Sequence, residues 1–243
     1  MKLKVIYEPS GRAREYAPLA FNPWIGCTGG CRYCYAKHMA RMTAEDFHQV
    51  PVPKDKLAAF EHDCKTLRDA GDDRIIFMSF MCDPFQRFND KQEDLIYHYI
   101  NIAVFYGRKV RTLTKVPRNV DWTKMFAVDF GVTLSGENVI PIEHGTDLQS
   151  DRIKALRIAK AKGHTTWVSM EPVINPDMCL LILRSFGPEV DFWRIGKLNA
   201  RDANMKAIEN SIDWKSFGEE VSRILPEGKY MLKEDLLKEM VEI

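Results

Sequence analysis

The sequence predicts an α/β fold, because buried strands alternate with helices about six times along the chain. Short apolar runs bounded by polar or turn residues are typical of buried parallel strands. Apolar residues at three- and four-residue spacing between those runs are typical of helices that pack on one face. Parallel strands joined by helices require right-handed crossovers, and six such units can close partway into a barrel. We therefore predict a (β/α)6 partial TIM barrel.

The predicted elements follow one another in a regular order. A short strand at residues 4–7 and an extended run into Phe21 come first. Later strands are predicted at 74–80, 109–115, 126–135, 164–171 and 190–195. Helices are predicted at 35–43, 54–70, 93–106, 151–162 and 175–186. Asp151 is predicted to cap the fourth of these helices.

The C-terminal tail differs in pattern from the alternating part. It is predicted to be mostly helical from Ser211, with an apolar face formed by Leu232, Leu236 and Met240. An amphipathic helix of this kind usually completes the core of its own protein. We therefore divide the chain into a core domain at 1–200 and a C-terminal helical extension, packed on that core, at 201–243.

The composition is that of an ordinary globular chain. Of 243 residues, 45% are hydrophobic and 28% are charged, and the net charge is +1. That balance argues against a broad basic coat for nonspecific nucleic-acid binding, although it allows a local basic groove. No apolar run approaches the ~20 residues that span a membrane, and the N-terminus is too polar for a signal peptide. We expect a cytoplasmic protein without membrane contact.

A short loop after the first strand holds Cys27, Cys31 and Cys34 in the spacing C-x3-C-x2-C. Three thiolates this close cannot all pair as disulfides, but they can all face one metal centre. Soft thiolates select zinc, copper(I) or iron–sulfur clusters. An iron–sulfur cubane usually takes four cysteines, so three would leave one iron open. The alternative is a structural zinc site with a fourth ligand from His38, Cys64 or Cys82.

Polar residues gather where five predicted strands end. They lie at 82–83, 114–115, 135–137, 169–171 and 197–199. The carboxyl ends of parallel strands meet at one face of a barrel, and that face holds the chemistry in such folds. We therefore expect these residues to lie near the cysteine loop.

The cysteine spacing, with the aromatic Tyr33 just before the last cysteine, resembles the signature of the radical S-adenosylmethionine (SAM) superfamily. The resemblance implies a [4Fe–4S] cluster on the three cysteines, with SAM bound to the open iron. It also implies cleavage of SAM to a 5′-deoxyadenosyl radical that abstracts hydrogen from a substrate. An electron donor such as flavodoxin or ferredoxin and the radical SAM type of partial barrel are implied as well.

Further segments resemble the spore photoproduct lyase-like group of that superfamily, which includes uncharacterised members, some of them borne on phages. The matching segments are Asn22-Pro-Trp, Cys34-Tyr35, Asp83-Pro-Phe-Gln86, Thr114-Lys115 and Glu171-Pro-Val. The characterised lyase reverses a thymine–thymine lesion in DNA, so the resemblance implies a nucleic-acid or nucleotide substrate. Relatives need not share it. The alternatives are a radical SAM enzyme for a peptide or small molecule, and a zinc-stabilised binding module without catalysis.

The resemblance also implies which residues bind the cofactor. Lys115 would meet the SAM carboxylate, Ser135 the carboxylate or ribose, and Glu137 the ribose hydroxyls. Asp83 would lie near the methionyl amine. The complete set of implied cofactor-binding residues is Tyr33, Asp83, Lys115, Ser135, Glu137 and Glu171.

Cys82 and Tyr35 are the predicted catalytic residues. In the lyase, a cysteine at the end of this strand returns a hydrogen atom to the product radical, and Phe80 stands at the corresponding position here. Because strand side chains alternate, Phe80 and Cys82 share a face if the strand stays regular. Cys82 is therefore the predicted hydrogen donor, its alternative being a buried filler, and Tyr35 packs beside the cluster or relays a hydrogen atom. The departure at Phe80 argues against lesion reversal by the lyase's own route.

Overall fold

The computed structural model describes residues 2–49, 52–53, 56–86, 94–136, 142–200 and 202–241. Its main sheet has seven strands, which pair in chain order and are all parallel to their neighbours. They are β1 (Leu19–Ala20), β4 (Ile76–Met78), β5 (Val110–Thr114), β6 (Asp129–Thr133), β7 (Thr165–Met170), β8 (Phe192–Ile195) and β9 (Tyr230–Leu232). A separate antiparallel pair is formed by β2 (Trp24–Ile25) and β3 (Val52–Pro53).

Helices follow most of the strands of the main sheet. They are α1 (Ala36–Ala40), α2 (Ala44–His48), α3 (Leu57–Asp69), α4 (Leu95–Phe105), α5 (Gln149–Ala161), α6 (Pro176–Phe186), α7 (Ala203–Ser211), α8 (Trp214–Ile224) and α9 (Glu234–Met240). Within the part of the chain that the structure describes, no helix is both long and apolar enough to cross a membrane.

The sheet curls into an open half-barrel around a small inner cluster of aromatic side chains. Phe77 on β4 and Trp167 on β7 belong to this cluster, and their ring centroids are 6.4 Å apart. In a flat sheet, three strand spacings would separate those strands by about 14 Å. The residues that alternate with Phe77, Ile76 and Met78, belong instead to the large cluster shared with the helices. The predicted α/β partial barrel is confirmed.

Side chains fill the barrel interior around Trp167. A Cβ built on Gly131 of β6 would lie 2.3 Å from Cε2 of Trp167, so the indole occupies the space that this glycine leaves. The guanidinium groups of Arg111 and Arg194 lie 5.6 and 5.4 Å from its ring centroid. The indole N–H donates to the Thr112 carbonyl at 3.1 Å. This packing leaves the polar carboxyl ends of the strands as the region for a site.

Three local predictions differ from the structure. Residues 4–7 form no strand, because only Tyr7 pairs, through an isolated bridge to Ala20. Asp151 does not cap α5, since the helix begins at Gln149 and Asp151 lies in its first turn. The tail is mostly helical as predicted, but Leu232 lies in β9, a seventh strand of the sheet, and not on the helix face with Leu236 and Met240.

The seventh strand brings the two ends of the chain together at the open side of the barrel. Arg12 pairs with Asp235 at 2.5 Å, and Glu15 lies 3.3 Å from the ammonium of Lys233. Leu232 therefore belongs to β9 rather than to the terminal helix, while Leu236 on α9 is fully buried. The tail contributes both backbone pairing and core packing to the barrel.

Candidate active site at the cysteine loop

The cysteine loop lies at the carboxyl end of β1, where α2 packs against it. The Cys27 amide donates to the Phe47 carbonyl at 2.9 Å. A Cβ built on Gly29 would lie 3.4 Å from Sγ of Cys27 and 3.7 Å from Sγ of Cys31, so both thiols flank this glycine. The Cys34 amide donates to the Cys31 carbonyl at 3.1 Å, which keeps the third thiol in the next turn.

All three loop cysteines are free thiols. Among the described residues, no three Cys, His, Asp or Glu side chains form a ready metal-binding group. Burial raises the pKa of Cys27 to about 11, and Asp83 adds to that shift. Burial also raises the pKa of Cys31 to about 12, against the effect of Lys115. These thiols stay protonated at neutral pH until a bound metal replaces the protons, and their donor type fits an iron–sulfur cluster.

Gln86, which follows β4, holds the loop from one side. Its side chain accepts a hydrogen bond from the Thr28 amide at 2.7 Å and donates to the Gly26 carbonyl at 3.0 Å. The side chain is buried, so it supplies partners that water cannot. The sequence included Gln86 in a motif but gave it no role. We assign it the role of fixing the loop's backbone.

Glu143 holds the loop from the other side. Its backbone pairs with that of Cys31, and its carboxylate accepts from the Tyr33 hydroxyl and from the Arg152 guanidinium. Both side chains of this ion pair are fully buried. Arg152 also donates to the Thr133 carbonyl at 2.9 Å, which ties the loop to β6. Sequence reasoning missed Glu143 and Arg152, because 110 residues separate Tyr33 from its partner.

Asp83 joins the ends of β4 and β5. Its carboxylate accepts from the Thr114 hydroxyl at 2.7 Å, the Lys115 amide at 2.7 Å and the Phe85 amide at 3.0 Å. Burial raises the pKa of Asp83 although these hydrogen bonds oppose the shift. Asp83 thus positions Lys115, and its predicted contact with the SAM amine remains a prediction.

Lys115 presents a free positive charge beside the loop. Its ammonium lies 5.7 Å from the centroid of the Tyr33 ring and makes no hydrogen bond or ion pair with other described residues. Burial lowers the pKa of Lys115, but Cys31 and Glu143 outweigh it and raise the pKa above its usual value. The group is therefore a permanent cation suited to an anionic ligand.

Ser135 and Thr133 add unpaired hydroxyls at the end of β6. Both side chains are buried, and in the described part of the chain neither Oγ atom has a hydrogen-bond partner. Buried hydroxyls are normally paired, so these two have capacity for a ligand. Glu137, predicted to bind the ribose, lies outside the described residues.

Phe80 and Cys82 do not share a face, because β4 ends at Met78 and regular alternation stops there. Phe80 stacks on Phe77 in the inner cluster, with ring centroids 4.5 Å apart. Cys82 belongs instead to the large cluster shared with the helices, and its Sγ lies 2.9 Å from Oγ of Ser79. Tyr35 donates to the Phe80 carbonyl at 3.0 Å, and its ring is half exposed.

Glu171, just after β7, belongs to a group that we call the interior triad: Tyr16, Glu171 and Lys233. The Tyr16 hydroxyl donates to Oε2 of Glu171 at 2.5 Å, and the Lys233 ammonium donates to the same oxygen at 2.6 Å. Lys233 comes from the tail, directly after β9. The sequence pointed to Glu171 alone, because its two partners lie 155 and 62 residues away.

The fold of the chain is that of structures with bound SAM. Spore photoproduct lyase complexed with dinucleoside spore photoproduct matches with a TM-score of 0.61 and 15% identity, over 84% of this chain and 63% of that one. A double mutant of that lyase with bound SAM and the same dinucleoside matches with a TM-score of 0.61 and 14% identity, over 83% of this chain and 62% of that one. SuiB of Streptococcus suis bound to SAM matches with a TM-score of 0.61 and 10% identity, over 92% of this chain and 52% of that one. The chain thus spans less than two thirds of the lyase and about half of SuiB.

The family of the chain follows from its sequence. A family model described as "Protein of unknown function (DUF5131)" matches residues 13–221, which is most of the chain. The protein therefore belongs to the DUF5131 family. No curated protein matches its sequence significantly.

Proposed function

We propose that this protein is a radical SAM enzyme in which Cys27, Cys31 and Cys34 hold a [4Fe–4S] cluster. One observation supports the proposal most strongly. The three cysteines lie on one loop at the carboxyl end of the first strand of a partial barrel, and structures of this fold hold SAM. When bound, the cluster and SAM supply an electron-driven cleavage that yields a 5′-deoxyadenosyl radical for hydrogen abstraction.

The residues around the loop have distinct tasks in this proposal. Gln86 and Glu143 hold the loop's backbone from two sides, so the segment that carries the thiols stays attached to the barrel. Lys115 binds the carboxylate of SAM, since its ammonium packs over the Tyr33 ring and has no hydrogen-bond or ion-pair partner among the described residues. Ser135 offers a buried hydroxyl to the carboxylate or ribose. Tyr33, Asp83 and Glu137 complete the proposed cofactor contacts.

The substrate that we propose is a nucleic acid or nucleotide. The similarity to a lyase that binds a dinucleoside supports this choice. Cys82 is the proposed donor: its S–H bond breaks as a C–H bond forms on the product radical, leaving a thiyl radical. Tyr35, next to Cys34, is the proposed relay of a hydrogen atom. A flavodoxin or ferredoxin is the proposed source of electrons.

The decisive experiment is anaerobic. The purified protein is reconstituted with iron and sulfide, reduced and given SAM, and 5′-deoxyadenosine is quantified. We expect its formation in the wild type and its loss in Cys31→Ala. Cys64→Ala, which alters a buried cysteine on α3 outside the loop, is the matched control and should retain activity. Zinc in place of iron, with no cleavage of SAM, would overturn the proposal in favour of a structural clip.

A further inference from the structure

The interior triad leaves one carboxylate oxygen unused. Oε2 of Glu171 accepts from both Tyr16 and Lys233, at 2.5 and 2.6 Å, while Oε1 accepts from no described residue. A buried ion pair that serves stability alone is favourable only when further hydrogen bonds satisfy its remaining lone pairs. The side chain is not sealed from the surface, since 17% of it is exposed.

Gly196, just after β8, packs directly against that oxygen. A Cβ built on Gly196 would lie 3.2 Å from Oε1 of Glu171 and 2.9 Å from Cδ of Lys233. Both contacts are tighter than ordinary side-chain packing, so the absence of a side chain here keeps the carboxylate in its present position. Ser169, on the same face of β7, adds a hydroxyl 2.9 Å from that of Tyr16. The hydroxyls of Tyr16 and Ser169 and the ammonium of Lys233 thus form one polar group with the Glu171 carboxylate.

The triad lies close to the residues that border the cysteine loop. The charge of Glu171 raises the pKa of Tyr35, after the larger effects of burial and of Cys34. Tyr35 in turn donates to the carbonyl of Phe80, whose ring packs on Tyr16 at 5.9 Å. Glu171 thus lies across the same mouth of the barrel as the cysteines, with Tyr35 and Phe80 between them.

Lys233 forms an ion pair that fixes the carboxylate in place. Its ammonium is almost completely buried and is shared between Glu171 and Glu15, at 2.6 and 3.3 Å. An ionised carboxylate accepts hydrogen bonds and donates none. The ligand of Oε1 must therefore present an N–H or O–H group.

We propose that Glu171 recognises the substrate by accepting a hydrogen bond on Oε1 from an N–H group on the edge of a nucleobase. Tyr16 and Lys233 are positioning residues that hold the carboxylate in place. The inference rests on the proposed function, which supplies the nucleotide class of substrate. It assigns Glu171 to the substrate rather than to SAM. Enzymes that act on a displaced base commonly bind its hydrogen-bonding edge in this way.

The test measures binding to the reconstituted holoenzyme with SAM present. The probes are thymidine, cytidine, adenosine and guanosine, each beside the analogue whose base-edge N–H hydrogens are replaced by methyl groups. We expect at least one nucleoside to bind the wild type about tenfold more tightly than its methylated analogue, as suits a hydrogen bond to a charged acceptor.

Glu171→Gln should abolish that preference. Tyr16 and Lys233 both donate, so they orient the amide with its oxygen toward them and its NH2 group at the position of Oε1. An N–H ligand then meets a donor instead of an acceptor. Glu189→Gln, in an exposed pair with Arg157, is the matched control and should keep the preference. If Glu171→Gln does not fold, Glu171→Asp, which retracts the carboxylate, replaces it and should reduce the preference.

Several outcomes would overturn the inference. They are no binding of any nucleoside by the wild type, equal binding of the methylated analogues, or an unchanged preference in the folded Glu171 variants. Weakened SAM binding in Glu171→Gln with the nucleoside preference intact would assign the residue to the cofactor instead. SAM cleavage by the wild type is measured in parallel. Its failure would overturn the proposed function, whereas its success with no nucleobase preference would overturn this inference alone.

Discussion

Asp63, on α3, shows how a single charged side chain fixes the start of the chain. It is fully buried and accepts from the amides of Lys4, Val5 and Ile6 at distances of 2.7 to 2.9 Å. Burial works to raise the pKa of Asp63, but these donors outweigh it, so the pKa lies below the usual 3.8. A carboxyl whose pKa is lower in the folded state stabilises that state at pH values above its pKa in the unfolded chain. This stabilisation is lost as the pH falls through the pKa of the folded state.

We predict that Asp63→Asn lowers the free energy of unfolding by about 2 to 3 kcal/mol at pH 7, because hydrogen bonds to a charged acceptor are lost. The difference from the wild type should shrink as the pH falls below 3.8, because the carboxyl of the unfolded chain is protonated first and the native carboxylate only at its lower pKa. Urea unfolding at pH 7 and pH 3 measures both quantities. Asp69→Asn, an exposed change on the same helix, is the control. An equal difference at the two pH values would contradict the assignment.

At the scale of elements, the cysteine loop depends on neighbours that are distant in sequence. Gln86 after β4 and Glu143 before α5 both contact its backbone. A short loop rich in glycine has little structure of its own, since glycine loses more conformational freedom on folding than other residues. The position of the three thiols therefore depends on outside contacts such as these, together with the hydrogen bond from Cys27 to Phe47.

We predict that Gln86→Ala weakens the retention of iron without unfolding the protein. The change leaves the Thr28 amide and the Gly26 carbonyl without their partner, at a cost of about 1 to 3 kcal/mol for each buried group. Loss of iron to a chelator after anaerobic reconstitution should become about tenfold faster. Gln49→Ala, which alters an exposed glutamine on the segment after α2, should match the wild type. Equal rates in the two variants would show that the loop holds its shape unaided.

At the scale of the whole molecule, the tail is part of the barrel. β9 is the seventh strand of the sheet, and Lys233 beside it enters the interior triad. The predicted boundary between a core at 1–200 and an extension at 201–243 falls between β8 and β9 of this sheet, and the division stays a prediction. We expect the two parts to unfold together.

Leu236 and Leu237 offer a matched pair to test this. Leu236 is fully buried, whereas Leu237 is 45% exposed. We predict that Leu236→Ala lowers the free energy of unfolding by about 2 to 5 kcal/mol, and that Leu237→Ala changes it by less than about 0.5 kcal/mol. Tryptophan fluorescence and far-UV circular dichroism should report one shared transition in urea. A separate early transition confined to the helical signal would show that the tail folds independently.

The sequence by itself determined the class of fold and indicated the metal-binding chemistry that we propose. Strand and helix periodicities of 2 and 3.6 residues are visible within short windows, so alternating elements emerge without knowledge of their neighbours. Five of the predicted strands correspond to β4 through β8 and the extended run into Phe21 contains β1, whereas the strand predicted at residues 4–7 does not form. The spacing of Cys27, Cys31 and Cys34 is equally local, and it suffices to indicate a soft-metal site.

The tertiary structure decided which residues meet at that site. β9 has only three residues, too few for a periodic pattern, and it is a strand because β8 offers it a free edge. The end of β4 at Met78 separated Phe80 from Cys82, where alternation along the sequence had placed them together. The partners of Glu171 and of the cysteine loop lie tens of residues or more away in the chain. Such contacts depend on how the sheet curls and where each strand ends, and no local pattern records either.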